Sequence, residues 1–512
     1  MLGNLFRPRL TEFDFEVFAE FVPADHFLRK ALLVIPWESF EEKLEAFYCP
    51  DQGRPPELPV LMLKLEYLRY HYRLSDREVI LRAKTDLAFR HFLQVNHRHP
   101  LPDPSSLCRF RGRLGEQGFR EVFDLVVGAA RQNGLVKDRL RIKDATHVIA
   151  DIHIPTTLAL VAQTRDKLLD AAEPFEPLMV EGERVNLGLL RESTRGQNDQ
   201  TRLASRVANL QEILAWVDEL PPPEDAETSG PWQKLRRQCE LAHKILGDQE
   251  PNARDKTRST VDPDARRSRH GAFFDGYMLD ILVDADSSII TQINVLPGNG
   301  DEAADALELV RREEAAHGND IEALSIDGIG YNGPVLRALE DPDGLAIDTT
   351  VPPKAKPDRE TFGPEKFVDD PATGGVVCPA GKVSCSQGRD RTGHATTHRF
   401  AHADCVACPL RSDCMKMQSK TSGRTVNKND YEVEYRRVHE KAATEAYAQV
   451  RAEHPQVERK LGEIMNRHSG RRARYRGSGK VFIQELMACT ATNVKRIVKL
   501  VSAPQVAPMC GN

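Results

Sequence analysis

One strand-like segment of this chain is cut off from every other by a long helical stretch, and that separation constrains the fold most. Residues 139–153, LRIKDATHVIADIHI, mix β-branched and apolar residues with polar ones in partial alternation, as in a strand. Asp144 and Asp151 interrupt it. From about 155 to 262 the period becomes helical. Leu203, Val207, Leu210, Leu214 and Val217 form one stripe, until Pro221, Pro222 and Pro223 break it. A strand needs partners, and the strand pattern resumes only beyond that insertion.

The partners follow. FFDGYMLDILVD and IITQINVL, on either side of ADSS, read as a hairpin over 273–296. An amphipathic helix is expected over 302–317, a short strand over 323–326 and a further helix from Val335. With the insertion set aside, this is the opening order of an α/β, RNase-H-like fold. In such a sheet the strands bearing Asp144 and Asp327 are neighbours, and their carboxylates converge at one edge. A third carboxylate from a late helix completes a site for two Mg²⁺ ions about 3.5–4 Å apart. Mg²⁺ is hard and favours carboxylate and phosphate oxygen. Gly328 and Gly330 leave room for a nucleic-acid backbone to approach.

The rest of the chain is ordinary in composition and uneven in charge. It has 512 residues, 40% hydrophobic and 29% charged, with a net charge of -5, which excludes wholesale disorder. No apolar run reaches the roughly 18 residues of a membrane span. The opening MLGNLFRPRLTEFDFE lacks the sections of a signal peptide, so a cytoplasmic protein with reduced cysteines is expected. Residues 1–135 read as helical, with a capping box at Ser75 and Glu78 and a cap at Ser105 or Ser106. The helix that follows carries Arg109, Arg111 and Arg113, which suggests a helix-turn-helix-like DNA-binding module. The run 467–480, RHSGRRARYRGSGK, carries Arg467, Arg471, Arg472, Arg474, Arg476 and Lys480 without an acid, and attracts phosphates.

Cys405 and Cys408 form a CxxC, with Cys414 beyond and Cys378 as a fourth candidate ligand, a set that can enclose a structural Zn²⁺. Cys385, His394, His398 and His402 are alternative ligands. Cys49, Cys108, Cys239, Cys489 and Cys510 read as ordinary thiols.

Taken in order, these segments resemble the DDE transposases of bacterial insertion sequences, in the IS1182-like branch of the IS5/IS4-type superfamily. The matching stretches are Gly53, Arg54, Pro55 and Pro56, then LMLKLEYLRYHYRLSDREVILRAKTDLAFRHFL and HPLPDPSSLCRFRGRL. DATH at 144–147, DGIGYNG at 327–333, VERKLGEIMNRHSGRRARYRG and the final TNVKRI, with Asn493, Lys495 and Arg496, complete the set. The resemblance implies metal-dependent cleavage at transposon ends and attack of the freed 3′ hydroxyl on target DNA. It assigns the catalytic roles to Asp144, Asp327 and Glu458, holding two Mg²⁺ (or Mn²⁺). Where relatives carry Tyr, Arg and Lys around the glutamate, this chain has Arg451, His454 and Met465, so Arg459 or Arg467 would take over phosphate contact. Glu463 and Glu453 are the alternative third acids. His147 reads as a core histidine, with phosphate contact the alternative, and Tyr331 as either a backbone contact or packing. Similar cysteine patterns accompany the family.

The expected organisation is a helical DNA-binding domain (1–135), the first core strand (136–154), the helical insertion (155–262), the continued core (263–351), a Cys-rich zinc-ribbon-like insertion (352–425) and a carboxy-terminal helical part with the glutamate and the basic run (426–512). The expected partners are double-stranded DNA, as terminal inverted repeats and target, and a second copy of the chain, with no membrane. The rival functions are a nuclease of the same fold without joining activity and a co-opted DNA-binding protein without catalysis.

Overall fold

Strong start and stop signals break the amino-terminal region into short helices. Ser75 and Glu78 cap each other reciprocally: the Ser75 N–H donates to Glu78 Oε2 at 2.7 Å and the Glu78 N–H to Ser75 Oγ at 3.2 Å. That box starts the helix Asp76–Thr85. The expected cap at Ser105 or Ser106 is displaced by Asp103. Its Oδ1 accepts from the Ser105 N–H at 2.8 Å, and Pro104 takes the first helical position, where no N–H is needed. The helix Pro104–Gln132 bends at Gly115, whose φ of 57° suits glycine.

The computed structural model describes residues 10–49, 57–224, 229–355, 360–415 and 421–502. The motif Gly53, Arg54, Pro55 and Pro56, and Cys510, lie outside them. Contacts divide the chain into two units, one of Met1–Lys137, Ala145–Glu302 and Glu458–Asn512, the other of Asp138–Asp144 and Ala303–Val457. Among the described residues no helix is long and apolar enough to cross a membrane.

In the first unit, β2 (Arg266–His270), β3 (Ala272–Asp284) and β4 (Ile290–Pro297) form antiparallel ladders. The hairpin of β3 and β4 is the expected one, whereas β2, with the sequence RRSRH, lacks apolar alternation and is extended through its ladder to β3. The carboxy-terminal half of β1 (Arg141–Ile149) also belongs here and runs against β3. A Cβ on Gly276 would lie 2.0 Å from the Val148 carbonyl oxygen, so only glycine permits this approach. Between β1 and β2 lie the helices Thr157–Ala172, Pro177–Ser193, Asp199–Asp218 and Gly230–Gly247. Their apolar residues, among them Leu168, Leu210, Leu214, Trp232 and Leu235, form a core of their own. The last helix, Ser478–Val501, is buried over most of its length.

In the second unit the first residues of β1 pair in parallel with β5 (Ala323–Ile326), and β5 pairs in parallel with β6 (Asp348–Thr350). The sheet thus mixes parallel and antiparallel ladders in an α/β chain. The helix Glu302–His317 matches its expected span. It is tied to β1 by Arg141, which donates from Nη2 to Glu313 at 2.7 Å with both side chains buried. The segment after β6 contains the small strands β7 (Val368–Asp370), β8 (Gly375–Val377), β9 (Ser386–Arg389), β10 (Ala395–Arg399) and β11 (Thr425–Asn429). Its small apolar cluster is Phe367, Val376, Phe400 and Val426.

Candidate active site

The register of β1 on β5 places the two aspartates. Arg141 faces Leu324, Ile142 faces Ser325 and Lys143 faces Ile326. The next residue on each chain is Asp144 and Asp327. Adjacent strands lie about 4.8 Å apart, so the two acids leave the ladder side by side. Both are half-buried. Asp327 has extended backbone (φ −71°, ψ −168°) and caps the turn Gly328–Gly330, its Oδ1 accepting from the Ile329 N–H at 3.1 Å. Two carboxylates at one strand edge offer the hard oxygen donors that suit a divalent ion.

Beneath Asp327 the end of β5 is held by polar side chains. Arg451 Nη1 donates to the Ile326 carbonyl at 3.0 Å. Ser325 Oγ lies 3.3 Å from the same nitrogen and 3.0 Å from His454 Nδ1. Burial pushes the His454 imidazole down to about 4, with Arg451 adding to the shift and Asp327 opposing it. Tyr331 stacks on Tyr435 at 4.5 Å between centroids, and its hydroxyl lies 3.3 Å from His439 Nε2, which accounts for it as packing.

The expected third acid, Glu458, belongs to the first unit. Glu458 is exposed on the helix Pro455–Arg467 and has no partner among the described residues. The alternative Glu463 is occupied by lysines, Lys495 Nζ at 2.9 Å and Lys460 Nζ at 3.2 Å. Burial alone would raise its carboxyl, but the lysines outweigh that and hold it down at about 2. Glu453, in the second unit, is paired with Arg139 at 2.8 Å. Among the described residues no group of three or more His, Cys, Asp or Glu side chains is set to hold a metal ion.

The arginines expected on DNA divide by exposure. Arg109, Arg113, Arg459, Arg467, Arg472, Arg476 and Lys480 are exposed. Arg111 is not a surface cation. It pairs with the fully buried Glu66 and with Asp76, 2.6 Å from Nη2, in a cluster shared with Arg69. Tyr475, from the basic run, accepts from Arg69 Nη2 at 2.8 Å and lies under the Arg111 guanidinium. Arg471 turns inward to the His147 carbonyl at 2.7 Å, and burial lowers its pKa. Arg474 is half-buried against the Leu74 carbonyl and the Tyr70 ring. His147 is half-buried and packs on Phe274 at 5.0 Å between ring centroids. The carboxy-terminal Asn493 grips β4 at both ends of one residue, accepting from the Ile290 N–H at 2.9 Å and donating to its carbonyl at 2.7 Å.

Cys378, Cys405, Cys408 and Cys414 line one pocket in the second unit. Two backbone N–H groups point at sulfur, Lys382 at Cys378 and Arg424 at Cys405, each at 3.4 Å. Cys378, Cys405 and Cys414 pack as apolar groups against the cluster around Phe367 and Phe400. The four are gathered but not set as ligands, so the zinc expectation rests on their spacing alone.

Two family models match the chain. One, described as a transposase domain (DUF772), covers residues 16–113, and the other, described as a transposase DDE domain, covers residues 377–498. A curated relative from Rhizobium meliloti, an uncharacterized protein named ORF8 in the nfe locus, is 36% identical over 107 residues, 20% of this chain. The chain spans about half of that relative, 51% of its length. No solved structure matches. A DDE domain suggests the use of a divalent metal, and the two matches, one toward each end of the chain, support a DDE transposase of insertion sequences.

Proposed function

We propose that this chain cuts DNA at the ends of an insertion sequence and joins those ends to target DNA, as an IS1182-like enzyme acting as a dimer on two ends. The observation that carries the reading is the parallel register of β1 on β5, which runs straight into Asp144 and Asp327. Asp144 and Asp327 would hold Mg²⁺, or Mn²⁺ in its place, as two ions in the DDE reading, with Glu458 the third acid that the resemblance assigns. Such ions lower the pKa of an attacking hydroxyl and stabilise the leaving oxygen.

The protein's own part is to bind and orient. Asp327 is fixed by its cap on Ile329. Arg109, Arg113, Arg459, Arg467, Arg472, Arg476 and Lys480, exposed on the first unit, are the candidates for neutralising DNA phosphates. No covalent protein–DNA intermediate is needed.

The test uses purified protein, pre-cut element ends and a plasmid target with Mg²⁺. Joined products are expected. Asp144→Asn and Asp327→Asn should abolish cleavage and joining while end binding persists. Asparagine also keeps the capping acceptor at 327. Nicking without joining would make the protein a nuclease, and binding without Mg²⁺-dependent cleavage would make it a DNA-binding protein only.

A further inference from the structure

Asp327 has no salt bridge among the described residues, although two basic side chains stand close to it. Arg451 reaches the peptide leading into it, through the Ile326 carbonyl, and the hydroxyl of Ser325, which is fully buried. His454 holds the same hydroxyl from the other side. Both come from the end of the helix Glu445–Glu453, His454 being its cap residue. Within this turn, Glu453 also pairs with Arg139, just ahead of β1. One turn of chain therefore grips the strand end carrying Asp327 and the lead-in to the strand carrying Asp144.

A guanidinium bonded directly to Asp327 would compete for the carboxylate oxygens. Here the cation acts through a carbonyl and a hydroxyl, which fixes the backbone and leaves the carboxylate available. We propose that Arg451, with His454 and Ser325, is a positioning device that sets Asp327 for metal binding. The proposal rests on reading Asp327 as a metal-holding acid. Groups behind metal ligands commonly change metal affinity or activity about 10–100-fold when removed.

The experiment compares Arg451→Ala, Arg451→Lys, Ser325→Ala and Asp327→Asn in the full chain. Mn²⁺ binding is read by electron paramagnetic resonance and end-cleavage rates are read against Mg²⁺ concentration, while end-DNA affinity is measured with EDTA. Arg451→Ala should weaken Mn²⁺ binding and raise half-saturating Mg²⁺ about tenfold, with end affinity unchanged. Arg451→Lys should recover part of the loss. Ser325→Ala removes the shared hydroxyl while keeping the cation, and should shift metal dependence in the same direction if Arg451→Ala fails to fold. Wild-type metal binding in both Arg451→Ala and Ser325→Ala overturns the proposal, as does a loss confined to DNA affinity. If Asp327→Asn still cleaves and binds Mn²⁺ normally, the reading of Asp327 itself falls.

Discussion

Glu458 and Glu463 sit five positions apart on one helix, and their surroundings assign them different work. Glu463 is locked between Lys460 and Lys495, whereas Glu458 faces outward. Glu463→Gln should lower stability by about 2 kcal/mol, because it strips a partly buried pair of its anion. Glu458→Gln should leave the melting temperature unchanged and remove cleavage; thermal melts beside a cleavage assay separate the two. The pH dependence has a defined sign. The folded state holds the Glu463 carboxyl at about 2 against an ordinary 4.5. Its contribution is therefore complete above about 4.5 and is lost as pH falls toward 2, which Glu463→Gln should flatten in an acid-unfolding titration. The pairing of the strands that lead into Asp144 and Asp327 was legible from the order of the segments. The lysine lock was not, since Lys495 comes from a helix more than thirty positions away.

At the scale of elements, legibility followed periodicity. The helix Glu302–His317 and the strand Ala323–Ile326 kept their expected bounds because each has one apolar face or run and clear ends. β2 was hidden because a ladder partner, not its own residues, makes RRSRH extended. The small strands after β6 were hidden for a similar reason, being three to five residues long with few apolar side chains. The basic helix Pro104–Gln132 shows how charge can mislead. Arg111→Ala should destabilise the protein by about 3 kcal/mol, since it leaves Glu66 buried and poorly compensated. Arg113→Ala should instead spare stability and lower the salt slope of end binding by about one. Chemical denaturation and a salt series of fluorescence anisotropy measure the pair. Gly276→Ala should cost more than 1 kcal/mol on the denaturation assay, because the backbone at Val148 must move.

At the scale of the whole molecule, the sequence showed which segments are helical and which extended, but not how contacts group them. The first unit takes three stretches of chain and the second takes two, and the boundary passes through β1 between Asp144 and Ala145. Local patterns do not encode such grouping, because it depends on pairings between residues far apart in the chain. The net charge of -5 likewise conceals the exposed arginines of the first unit, so the attraction they exert on phosphate is a property of a surface rather than of the total. The helices from Thr157 to Gly247 keep their apolar residues in a private core. An excised fragment of residues 155–262 should accordingly show helical circular dichroism and a cooperative melt. A module that satisfies itself in this way behaves as a cassette. Added length in its loops should therefore leave the register of β1 on β5 as it is.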